Sequence, residues 1–178
     1  MSVSDYERFV NRTSRSNGAV GKSPVCYGWA HRLTSTGIWV CGKSFTLDPW
    51  KARVLDFGCG KGARHALALK AAGLAEVQPW DIGENSFGFG KPSGKYNLVI
   101  LSNVLNVQPH AYDVPRVLKE AWSYVDKLGF MIVNYPKSPR HNWVNDSRMG
   151  ELVHETTNTW YKLDKYTYLL QRPFEDFH

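Results

Sequence analysis

The sequence predicts an α/β sandwich, with a mostly parallel central sheet closed by antiparallel strands and a helical segment ahead of it. Three observations carry that expectation. From residue 52 onward, short apolar runs alternate with stretches of helical spacing. One run, "YNLVILSNV" from Tyr96 to Val104, is apolar almost throughout, as suits a strand covered on both faces. Near the end, "NTWYKL" and "TYLLQRP" are split only by "DKY", the pattern of a closing pair of strands. At 178 residues and 43% hydrophobic content the chain suits one compact domain, with a basic helical extension over 1–51 and a core over 52–178.

In chain order, residues 4–12 put Tyr6, Phe9 and Val10 on one side of a short helix, and "TSRSNGAVGKS" is a Ser/Gly/Asn-rich link. In "SPVCYGWAHRLTSTG", Ser23 suits a cap and Pro24 a first helical turn. Val25, Trp29 and Leu33 share a face, and Gly37 closes the end. "IWVCGKSF" is a β-like or irregular connection. Val54 to Phe57 is a short buried strand. "KGARHALALKAAG" is a helix with Ala63, Ala66, Leu67 and Lys70 near helical spacing and Gly73 as its stop. "AEVQPWDI" is a second strand, which Pro79 assigns to an edge or an irregularity. After the apolar third strand, "DVPRVLKEAWSYVDKLG" spaces Val114, Val117, Leu118, Ala121, Trp122 and Val125 as one helical face, with Asp113 as cap. "FMIVNYP" is the next buried strand, and "SRMGELVHETT" a short helix before the closing pair.

Composition excludes several classes. No apolar run approaches the roughly 20 residues that span a bilayer, and the N-terminus lacks a signal-peptide core, so no membrane partner and a cytoplasmic location are expected. Cys26, Cys41 and Cys59 are odd in number and lack CxxC spacing, which suggests buried, reduced thiols, no disulfide framework and no metal site. The net charge is +6, and residues 1–53 hold +5 of it: Arg8, Arg12, Arg15, Lys22, Arg32, Lys43, Lys51 and Arg53 against three acids. Such asymmetry suits either a nucleic-acid partner or a solvated basic face.

The most specific stretch is "VLDFGCGKG", Val54 to Gly62. Glycines at 58, 60 and 62 let a loop between strand and helix turn tightly and bring its backbone against a ligand, at the strand ends where such sheets bind one. The spacing is neither GxxxxGK[ST] nor GxGxxG, so a phosphate-cradling P-loop and a dinucleotide fingerprint are both disfavoured.

The stretch resembles motif I of the class I S-adenosylmethionine-dependent methyltransferases, in which an acid and one residue precede alternate glycines. The likeness covers roughly residues 52–135. "EVQPWDI" stands where the family's second strand ends in an acid, "YNLVILSNVLNV" is similar to its motif IV, and "LKEAWSYVDKLGFMIVN" resembles its helix, turn and fifth strand. A narrower likeness, to methyltransferases associated with DNA phosphorothioation systems, rests on "DFGCGKG", "WD", "NVLNV" and "RTSRSNGAVGKSPV".

The resemblance implies a Rossmann-like sheet, S-adenosylmethionine as cofactor, and a cofactor-binding set of Asp56, Phe57, Gly58, Cys59, Gly60, Asp81, Ile82, Ser102 and Asn103. In that family's terms Gly58 and Gly60 approach the methionine and ribose, and Asp56 holds loop amides or the ammonium group. Asp81 accepts from the ribose diol, and Ser102 and Asn103 border the adenine. Between Asp81 and Tyr96 lie only 14 residues, where the family fits a helix and another strand, so a trimmed loop is expected there.

Methyl transfer from a sulfonium needs alignment, dryness and a deprotonated acceptor rather than a protein nucleophile. Asn106, His110 and Tyr135 are the candidates near the methyl group, His110 as a general base or simply a helix-entry residue. "SNVLNVQPH" lacks the [DNS]PP[YFW] grip of amino-directed DNA methyltransferases, and no Pro-Cys pair for cytosine C5 occurs there. The favoured reading is methylation of nucleic acid or a nucleic-acid-derived substrate through the basic N-terminal segment; the alternatives are methylation of a small molecule and cofactor binding without catalysis.

Overall fold

The computed structural model describes residues 25–60, 63–81, 90–102, 104–105, Gln108, His110, 112–134 and 160–172. The helices expected over 4–12 and 147–157 lie outside these residues. The elements are α1 (Val25–Leu33), β1 (Ile38–Val40), β2 (Lys43–Phe45), β3 (Arg53–Phe57), α2 (Arg64–Ala71), β4 (Glu76–Trp80), β5 (Tyr96–Ser102), α3 (Asp113–Trp122), β6 (Val125–Asn134), β7 (Trp160–Asp164) and β8 (Thr167–Gln171).

Six strands form the central sheet in the order β4-β3-β5-β6-β8-β7. The first four run parallel, and β8 pairs antiparallel with both β6 and β7. This is the expected Rossmann-like layout with an antiparallel end. β5 is buried on both faces, which its unbroken apolar run requires. On one face Cys26, Ala30 and Leu33 of α1 and Ala66 and Leu69 of α2 pack on Val54, Leu98, Ile100 and Ile132. On the other, Val114, Val117, Leu118 and Ala121 of α3 pack on Leu55, Val99, Leu101 and Met131. Helix α1, ahead of the core, therefore shares one covering layer with α2. Among the described residues no helix is long and apolar enough to cross a membrane.

Several elements differ from the sequence expectation. Of the face expected for α1, Leu33 is buried while Trp29 is only half-buried, and Cys26, Tyr27 and Ala30 join Leu33 against the sheet. Small residues let the helix lie close to the sheet, while half-buried Trp29 sits at the flank, where its Nε1–H donates to Asp164 at 3.0 Å. Gly37, at φ +86°, closes the helix as expected, its N–H donating to the Arg32 carbonyl at 2.6 Å. The connection after it is a β1–β2 hairpin whose turn residues Cys41 and Gly42 both have positive φ. Cys41 is exposed there, so only Cys26 and Cys59 of the three free thiols are buried.

The helix expected to run to residue 129 stops at Trp122. The Tyr124 carbonyl accepts from Tyr96 N–H at 2.7 Å, and Val125 pairs with Tyr96 as the first residue of β6. The ladder is then interrupted before Leu98 meets Phe130, and Leu128 within that irregularity has φ +61°. Asp113 is the first residue of α3 rather than its cap, and one of its oxygens pairs with Arg116 at 3.0 Å. β4, carrying Pro79, is the sheet edge, as a residue without an N–H requires. Residues 90–95 form neither helix nor strand, and the rest of the trimmed connection expected there, residues 82–89, lies outside the described residues.

On α2 the inward leucine is Leu69, 4% exposed, whereas Leu67 is 61% exposed. Leu69→Ala should therefore cost about 2–5 kcal/mol in urea unfolding, and Leu67→Ala within about 0.5 kcal/mol. Equal costs would contradict this rotation of the helix.

Candidate functional site

β3 ends in the sheet interior: Val54, Leu55, Asp56 and Phe57 are all buried. The chain then reverses through Gly58 (φ +88°), Gly60 (φ +73°) and Ala63 (φ +47°), conformations that favour glycine at the first two positions. The turn is fastened to the adjoining strand end. Gly58 and Cys59 N–H both donate to the Trp80 carbonyl, at 2.7 and 3.0 Å, and Gly60 N–H donates to Asp81 Oδ2 at 2.9 Å. Three successive loop amides are thus engaged within the protein. The face of Gly58 that lacks a side chain meets the Val104 side chain, whose Cγ2 would lie 2.4 Å from an added Cβ.

The loop amide of Gly60 is held by Asp81, not by Asp56. Asp56 instead accepts from a residue that spacing gave no sign of, Tyr27 of α1, whose hydroxyl lies 3.0 and 3.1 Å from the two carboxyl oxygens. The Tyr27 ring stacks on His65 at the start of α2, with centroids 4.0 Å apart and planes within 9°. Burial pushes the Asp56 carboxyl from 3.8 up to about 7; Tyr27 opposes that shift and the Asp81 charge adds to it. Burial and Asp56 hold the Tyr27 phenol well above its ordinary value, so it stays a donor. The Cys59 thiol is pushed up by burial and by both acids, which leaves it neutral and inert as a nucleophile.

Ser102, at the end of β5, is buried with its hydroxyl unpartnered among the described residues, next to the weakly polar Cys26 thiol. Phe57 packs toward Tyr124 in the core on the α3 side, with ring centroids 6.2 Å apart. His110 stacks on Tyr112 at 4.8 Å and its carbonyl accepts from Asp113 N–H at 3.1 Å, so it stands at the entry to α3. Ile82, Asn103, Asn106 and Tyr135 lie outside the described residues.

The ends of β3, β4 and β5 therefore bring together two buried carboxyl groups, a constrained loop and an unsatisfied hydroxyl. This set fits a ligand that carries positive charge: a cation beside Asp56 would offset both its burial and its repulsion from Asp81. It does not fit a phosphate, because the amides at 58–60 are already engaged and both acids would repel an anion. S-adenosylmethionine, with a sulfonium and an ammonium group, matches the donor set. Among the described residues no group of three or more His, Cys, Asp or Glu could hold a metal ion.

The family described as "Methyltransferase domain" matches residues 7–172. No curated protein matches the sequence. Among solved structures the chain is similar to TnmH, with 13% identity, 94% of this chain and 57% of that one covered, and TM-score 0.56. It is similar to the DszA carbon methyltransferase, with 12% identity, 72% and 49% covered, and TM-score 0.50. An O-methyltransferase family protein from Burkholderia thailandensis gives 16% identity, 71% and 53% covered, and TM-score 0.47. At these identities the first two support the fold and nothing finer. The chain spans about half the length of these structures.

Two outcomes follow from the site geometry. Gly58→Ala should cost about 1–2 kcal/mol for its left-handed backbone and about 1–3 kcal/mol more for the overlap with Val104. Adding Val104→Ala should recover only the second part, as read by urea unfolding. For Asp56 the fold favours the neutral acid, so its contribution is complete below about pH 3.8 and is lost as pH rises through about 7. Asp56→Asn should therefore gain stability over the native chain between pH 4 and 8, by up to about 4 kcal/mol. A pH-independent difference in melting temperature would contradict the burial of an ionisable group there.

Proposed function

The chain belongs to the methyltransferase-domain family, and on that premise we propose that it binds S-adenosylmethionine at the carboxyl ends of β3, β4 and β5 and transfers the methyl group to an acceptor. The observation that carries the reading is the buried pair Asp56 and Asp81 beside a loop whose amides are already engaged, a site for a cation rather than a phosphate. When bound, S-adenosylmethionine supplies a methyl group on positively charged sulfur. The chain's part is to align and dehydrate the reactants and to meet an acceptor that has lost its proton.

In this reading Asp81 offers its carboxylate to the ribose hydroxyls while tying down Gly60, and Asp56 faces the ammonium group. Ser102 gives its unpartnered hydroxyl to the bound molecule, together with Ile82 and Asn103 from the adjoining segments. Asn106, His110 and Tyr135 are the residues proposed to meet the acceptor.

For the acceptor, the positions of the described bases favour a small molecule. Arg53 opens β3 at the end of the sheet away from the glycine loop, where it pairs with Glu76 at 3.0 Å and donates to the Lys95 carbonyl at 2.7 Å. Arg32, in the last turn of α1, stacks over Trp29 at 4.6 Å. A nucleic-acid acceptor is a second reading, supported by the +5 excess within residues 1–53 and resting on Arg8, Arg12, Arg15 and Lys22.

Calorimetry should show S-adenosylmethionine binding that NAD does not displace, and a folded Asp81→Ala variant should bind about 1.5–3 kcal/mol more weakly. Unchanged affinity in that variant would remove the site from consideration. Formation of S-adenosylhomocysteine with a candidate acceptor separates an enzyme from a binding module. If nucleic acid is the acceptor, its affinity falls linearly with salt on logarithmic axes, and neutralising Arg12, Arg15 and Lys22 flattens that slope.

A further inference from the structure

We propose that Tyr27 is a positioning residue of the cofactor site: its hydroxyl holds the Asp56 carboxylate in place for a positively charged group of the ligand, which makes α1 an integral wall of that site. The inference rests on the reading that this site takes S-adenosylmethionine. A single O–H lying 3.0 and 3.1 Å from the two oxygens of one carboxylate fixes the plane of that group. Tyr27 is itself fixed. Its ring is stacked on His65, and the preceding residue places its thiol 3.8 Å from the Leu101 carbonyl of β5. The first turn of α1 is thereby anchored on β3, β5 and α2 at once.

The groups that act on Asp56 divide clearly. From α1 come Tyr27 and the Cys26 thiol, from the glycine loop the Cys59 thiol, and from the end of β4 Asp81; His65 of α2 touches Tyr27. Burial keeps both thiols neutral. Burial and Asp81 favour the uncharged acid, and the Tyr27 hydroxyl favours the carboxylate. Without that donor Asp56 would more often carry its own proton at neutral pH, and a neutral acid attracts a cation weakly. Tyr27 thus acts on the ligand through Asp56.

Tyr27→Phe removes the hydroxyl and keeps a ring to stack on His65. In the ligand-free full-length chain, the carboxyl-carbon titration of Asp56, assigned by its loss in Asp56→Asn, should move upward by about one unit in Tyr27→Phe. S-adenosylmethionine affinity by calorimetry should fall about fivefold at pH 7 and recover by about pH 9. In an Asp56→Asn background the same substitution should leave the pH dependence unchanged. A purely structural role predicts an unmoved Asp56 titration and an affinity lowered equally at every pH, and either result overturns the inference. If the native chain binds no S-adenosylmethionine at any pH, the functional reading falls and this inference with it. Binding by the native chain with an identical pH profile in Tyr27→Phe overturns the inference alone.

Discussion

The burial of two carboxyl groups at neighbouring strand ends is the constraint around which the rest of the site is arranged. Asp56 lies opposite Pro79 in the β3–β4 register, and Asp81 follows Trp80, the partner of Phe57. An acid taken out of water must be hydrogen-bonded or neutralised, and two of them side by side aggravate each other. Each accepts from the protein: Asp81 from the Gly60 amide and Asp56 from the Tyr27 hydroxyl. Each bond has a structural consequence. The first draws the glycine loop over the end of β4, and the second draws the first turn of α1 onto β3.

That arrangement explains the glycines differently from a ligand cradle. An amide can reach Asp81 only if the chain leaves β3 through left-handed conformations, which Gly58 and Gly60 adopt without the Cβ penalty. Gly58 has a second reason, since the Val104 side chain fills the space a Cβ would take. Ala63 accepts the same backbone region at some cost, and its carbonyl then receives the Leu67 amide as α2 begins. The motif is therefore a device for bringing two strand ends and a helix start together. Because its amides at 58–60 are engaged, those positions act on a ligand through the charge of the acids they gather.

The layers of the fold were legible because their signals are local. The unbroken apolar run of β5, the helical spacing of Val114, Val117, Leu118 and Ala121, and Pro79 on the edge each follow from a few adjacent residues. What escaped the sequence depends on contacts between distant residues. Val125 continues the apolar face of α3 perfectly well, yet pairing with Tyr96 recruits it into β6. Leu67 and Leu69 both suit a helix, and only the sheet beneath decides which is covered. In the site, Asp56 and Asp81 were marked by their places at strand ends, whereas Tyr27 is 29 residues from Asp56 and carries no spacing signal. Nothing local distinguishes it from any other half-polar residue on an amphipathic helix.

Among the described residues the sheet ends at β4, the strand that Asp81 follows, and this bears on what the site can recognise. An edge strand exposes unpaired backbone groups, and β4 blunts them with Pro79, which has no N–H, and with the Gln78 side chain, which donates to the Pro79 and Gly90 carbonyls at 2.8 and 3.1 Å. Among the described residues, the contacts of the site lie on α1, β3 and the end of β4, which place Tyr27, Asp56 and Asp81. A cofactor that carries positive charge suits this arrangement, because two neighbouring acids attract a cation over a longer range than contact-by-contact shape recognition reaches.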